Sequence, residues 1–124
     1  MSKATVVYWL LTIVFLLPMA IGGVADVLLI DEVKQVLVHL GFPLYVGPLL
    51  GVLKILGVLA LLAPGFGTLK EWAYAGFAFD LLGAVVAHAA VGDPTGQVVT
   101  PIVIAAIGAG SYVLRPEDRC PGGV

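Results

Sequence analysis

Four nearly uncharged apolar runs, at 5–28, 45–62, 69–90 and 98–114, fill most of this chain and leave little between them. A helix rising 1.5 Å per residue needs about 20 apolar residues to cross the hydrocarbon core of a bilayer, and each run meets or approaches that length. With 60% hydrophobic and 11% charged residues among only 124, a soluble fold is excluded. A small globule has too much surface for its volume to hide that much apolar matter. The chain is therefore expected to be an all-α integral membrane protein, one domain over 1–124 built as a four-transmembrane-helix bundle. The first run is longer than the ~7–15 apolar residues of a signal peptide and contains Asp26, so it reads as a retained span.

Turn residues mark the boundaries. Pro18 predicts a bend in the first helix, and Pro48 falls in the first turn of the second, where its missing N–H is harmless. Ala63-Pro64-Gly65 closes that helix; the fourth run is the shortest. Between the first two runs, Val33, Val36, Leu37 and Leu40 share one helical face while Lys34, Gln35 and His39 lie elsewhere. Asp31 and Glu32 suit the start of such a helix, and Gly41 and Pro43 end it. A short interfacial helix between helices 1 and 2 is expected there, lying in the membrane surface or closing one mouth of the bundle.

Basic residues set the orientation. Lys3, Lys70, Arg115 and Arg119 fall on the side of both termini, and only Lys34 on the other. The positive-inside rule then puts both termini in the cytoplasm. A net charge of −2 argues against nucleic acid as a partner. The single cysteine, Cys120, excludes an intrachain disulfide and any multi-cysteine metal site, and reads as a bystander on a polar tail.

The polar residues inside the runs carry the functional information. Lys54 and Asp80 each lie about 12–15 Å from the outer helix ends, a depth at which an unpaired charge is costly. Gly47, Gly51, Lys54 and Gly57 form one stripe, and Gly76, Asp80, Gly83 and Ala87 another. Small residues at this spacing let helices approach, so a Lys54–Asp80 ion pair is expected in the bundle interior. Asp26 and His88 form a second layer nearer the outer surface, where Asp26 can reach His88 or turn toward Lys54. No spacing makes His39 a partner of His88. At the inner edge, Glu71 suits a helix start, and Trp72 and Tyr74 suit the headgroup belt. No phosphate loop, nucleophile elbow or paired-carboxylate site appears, so no catalytic or metal-binding residue is expected.

The segments Leu40-Gly41-Phe42-Pro43, Gly51-Val52-Leu53-Lys54-Ile55-Leu56-Gly57 and Leu69-Lys70-Glu71-Trp72-Ala73-Tyr74-Ala75-Gly76-Phe77 resemble the DoxX-like membrane proteins. Ala60-Leu61-Leu62-Ala63-Pro64, Gly83-Ala84, His88 and Ser111-Tyr112 extend the likeness over nearly the whole chain. The resemblance implies a bacterial four-helix protein of the inner membrane. That family takes its name from a subunit of a thiosulfate:quinone oxidoreductase, and more distant four-helix relatives are assembly factors. Lys54, Glu71, Trp72, Tyr74 and His88 match its pattern by position only, so no catalytic role carries over. The leading expectation is a non-catalytic accessory subunit, packing against itself or a larger membrane complex, with the lipid bilayer as solvent and no resident cofactor. The second is a redox-linked protein that binds quinone or another apolar ligand at Lys54 and Asp80, with Asp26 and His88 nearby. The third is a small transporter or ion path, for which the fourth helix offers little polar lining beyond Ser111 and Tyr112.

Overall fold

The computed structural model describes residues 1–122. Five α-helices follow one another: α1 (Lys3–Leu28), α2 (Asp31–Leu40), α3 (Val46–Leu62), α4 (Gly67–Ala90) and α5 (Thr95–Leu114), with a 3-10 turn at Glu117–Arg119. The helices α1, α4 and α5 are each long and apolar enough to cross a membrane. α3 has 17 residues, about 25 Å at 1.5 Å each, the short end of what spans a bilayer. Thus α3, not the fourth crossing, is the shortest. α5 starts three residues before the apolar run because helix geometry continues through Thr95, Gly96 and Gln97, whose side chains need not enter lipid. α1 likewise begins at Lys3, where the Ser2 hydroxyl caps it by accepting from the Thr5 N–H at 3.1 Å.

Around the bundle the order is α1, α3, α4, α5, with α1 and α4 meeting through the centre. There Phe15 of α1 sets its ring edge-to-face against Phe77 of α4, centroids 5.3 Å apart. Leu16, Met19, Leu61 and Leu81 fill in around them. The outer surface is as apolar as the core: Leu10, Ile21, Phe79 and Val113 are all exposed. Water would penalise that surface at roughly 25 cal/mol per Å²; acyl chains do not.

Close approach between α1 and α3 depends on Gly51. A methyl group there would lie 2.6 Å from the Gly23 carbonyl oxygen and 2.6 Å from the Val27 amide nitrogen. Gly47 and Gly57 also face neighbours closely, Leu29 and the Phe77 ring respectively. Gly76 and Gly83, expected to pack helices, do not: both face open space. The reason is that α3 and α4 diverge at this level, leaving a groove that Gly76 lines.

The end bearing the termini is closed by the tail. The Arg119 guanidinium donates to the Leu61 and Ala63 carbonyls, and its Nε donates to the Tyr8 hydroxyl at 2.9 Å. Lys70, fully buried, donates to the carbonyls of Ala63 and Gly65. These are the acceptors that a helix C-terminus leaves without partners, at the negative end of its dipole. Cys120 is therefore no bystander. Its sulfur accepts from Arg115 Nε at 3.2 Å, and its backbone seats against Gly67.

Candidate functional site

Lys54 projects from the middle of α3 toward α1, into room left by Gly22 and Gly23. Its Nζ donates to Asp26 Oδ2 at 2.8 Å, while Asp80 Oδ2 lies at 3.9 Å. The expected Lys54–Asp80 ion pair is present, but it is the longer of two. Asp26 is the direct partner of Lys54, and Asp80 is a second acid held by charge alone, too far for a hydrogen bond. The close α1–α3 approach at Gly23 and Gly51 brings Asp26 within reach of the Lys54 side chain. Among the described residues no side chain donates a hydrogen bond to Asp80.

These three side chains are only 15–19% exposed, and the opening they face is a cavity. One space of about 290 Å³ lies between α3 and α4, walled by Leu53, Leu56, Gly57, Trp72 and Phe77. A larger one of about 600 Å³ runs beneath α2 toward the outer end, walled by Val33, Leu37, Phe79 and Ala84. Leu50, Lys54 and Asp80 line both. A continuous apolar groove thus carries one cation and two acids at its waist. Volumes of ~300–1,000 Å³ with few polar groups on apolar walls are typical of small-molecule sites.

His88 does not join this cluster through Asp26. Its Nδ1 lies 2.5 Å from Asp93 Oδ2, and His39 Nε2 lies 2.5 Å from Asp93 Oδ1. His39 and His88 thus share a partner after all, across 49 positions of sequence, because the turn after α4 folds Asp93 back over the helix end. Hydrogen bonds from His88 and His39 hold the Asp93 carboxyl below the ordinary carboxylate range. Among the described residues no three His, Cys, Asp or Glu side chains are arranged to hold a metal ion.

Glu71 pairs with Arg115 at 2.6 Å and accepts from the Tyr112 hydroxyl at 2.8 Å, tying α4 to the end of α5. Trp72 stands 71% exposed and lines the groove between α3 and α4. Tyr74 does not sit in a headgroup belt. It is buried, its hydroxyl 2.8 Å from Ser111 Oγ, which in turn lies 2.6 Å from Thr12 Oγ1. A hydroxyl that deep needs a partner; Ser111 supplies it and is itself held by Thr12. Thr12, alone among apolar neighbours in the first run, was the available signal for this layer. For Asp93, in a Gly-Asp-Pro turn, there was none.

Residues 10–111 match the model of the DoxX-like family. No curated protein and no solved structure matches the chain.

Proposed function

The chain belongs to the DoxX-like family, and from that premise we propose that this multi-pass membrane protein binds a small apolar molecule with a hydrogen-bonding head, of the quinone class. One observation carries the proposal: a groove between α3 and α4 that continues beneath α2 has Lys54 and Asp80 at its waist, apolar walls on the α3–α4 side, and Asp26, Glu32 and His88 toward its outer end. The Lys54 ammonium can donate to a quinone carbonyl, and the Asp80 carboxylate can accept from a quinol hydroxyl, so both oxidation states find a partner. Leu53, Leu56, Phe77 and Trp72 would take the ring and tail. The basic residues Lys3, Lys70, Arg115 and Arg119 favour placing the end bearing the termini in the cytoplasm of a bacterial inner membrane.

Trp72 supplies the test. In a Trp9→Phe variant, Trp72 is the sole tryptophan, and decyl-benzoquinone titrated into nanodiscs should quench it saturably. Lys54→Met should weaken that binding roughly tenfold or more, the scale of a lost charged hydrogen bond. Quenching that rises linearly with quinone in both proteins would reduce the effect to partition into lipid and sink the reading.

The accessory reading is favoured by a different observation, the open space at Gly76 and Gly83, since small residues line surfaces where another helix packs. On that reading a crosslinker at Gly76→Cys would capture a second chain in native membranes, and Trp72 would show no saturable quenching.

A further inference from the structure

The helix α2 roofs the outer part of the groove with its apolar face, through Val33, Val36, Leu37 and Leu40. It hangs between two left-handed residues, Leu29 (φ 49°) and Gly41 (φ 84°), which end α1 and α2 respectively. Left-handed backbone is a natural place for a direction change, and a non-glycine residue there carries some strain. Only Leu37 of α2 is buried, against α3 near Gly47. Among the described residues, the contact from His39 to Asp93 is the one side-chain hydrogen bond between α2 and the rest of the bundle. Asp93 is itself held in place by His88, on the wall of the same groove.

Resting on the ligand-binding reading, we propose that α2 is a hinged lid over the groove and that His39–Asp93, braced by His88, is its latch. Ligand then exchanges through the outer mouth when the latch opens, and the latch sets the rate. Removing one partially exposed hydrogen bond should speed exchange between about 2- and 10-fold.

Two measurements on the full-length protein in nanodiscs, in a Cys120→Ser background, decide this. A nitroxide at Val38→Cys reports α2 without any ligand; His39→Ala should raise its mobility. Stopped-flow quenching of Trp72 by decyl-benzoquinone, in Trp9→Phe protein, reports exchange. His39→Ala should raise both on- and off-rates, and a His39→Cys/Asp93→Cys pair joined by a short reducible bis-methanethiosulfonate crosslinker should slow both until reduced. Unchanged label mobility in His39→Ala overturns the lid. So do exchange rates indifferent to the crosslink, even where saturable, Lys54-dependent binding persists. Absence of saturable quenching in the unlatched and wild-type proteins alike overturns the binding reading, and the lid with it.

Discussion

At the scale of single residues, the informative asymmetry is between two acids that share one lysine. Asp26 lies at hydrogen-bond distance from Lys54 and Asp80 does not. Removing the lysine leaves two carboxylates in an apolar setting, which protonation can only partly relieve. Lys54→Met should therefore cost about 1–3 kcal/mol of stability, Asp26→Asn somewhat less, and Asp80→Asn less than about 1 kcal/mol. Thermal unfolding in mild detergent ranks the three. Asp80→Asn as the most damaging would mean that the pairing is wrongly assigned. Asp93 supports a second expectation. Its carboxyl, held down by His88 and His39, ionises more readily when latched than the ~3.9 of a free aspartate. The latch is thus fully made above that value and lost as pH falls through the lower, latched one. Glu32, which faces the same cavity as His88, adds a further acid on α2. Mobility of a label at Val38 should stay flat from pH 7 to about 4.5 and rise only below it, whereas Asp93→Ala should be mobile throughout. Mobility that stays flat below pH 4.5, or that is no higher in Asp93→Ala than in wild type, would contradict the latch.

Between whole elements, the two faces of α3 behave differently. Its α1 side is in backbone contact at Gly51; its α4 side meets the Phe77 ring at Gly57 and otherwise borders the groove that Gly76 of α4 lines. Gly51→Ala should destabilise by about 1–3 kcal/mol, because the atoms it meets are backbone and cannot swing away. Gly76→Ala and Gly83→Ala should cost nothing and stabilise slightly, since alanine favours helix by up to about 1 kcal/mol over glycine. Gly76→Leu should fold but fill the groove and abolish Trp72 quenching. The inner end of α3 has its own test. Arg119→Ala removes the donor that the Leu61 and Ala63 carbonyls accept from and should cost about 1–3 kcal/mol. If Arg119→Ala unfolds no earlier than wild type, the tail is an ornament rather than a cap.

For the whole molecule, the crossings were legible because lipid imposes a simple rule: a helix must be apolar for the full thickness of the hydrocarbon. The ends were less legible, since Thr95 and Lys3 are helical without being apolar. Depth was also readable, and it placed Lys54 and Asp80 at one level. Azimuth was not. Glycine stripes on α3 and α4 look alike in sequence, yet Gly51 meets a helix and Gly76 meets open space. Which stripe is covered depends on how all four helices share a perimeter, a property of no single segment. Long-range closures such as His39 to Asp93 and Arg119 to Tyr8 depend on turns and tails, where polarity alone specifies no partner.

The central claim, that the groove at Lys54 holds a small apolar molecule, meets its most direct test in native mass spectrometry of the protein released from its own membrane. Wild type is expected to carry one quinone-sized adduct per chain, and Lys54→Met to emerge bare. A bare wild type, or equal retention of the adduct without the lysine, would contradict it.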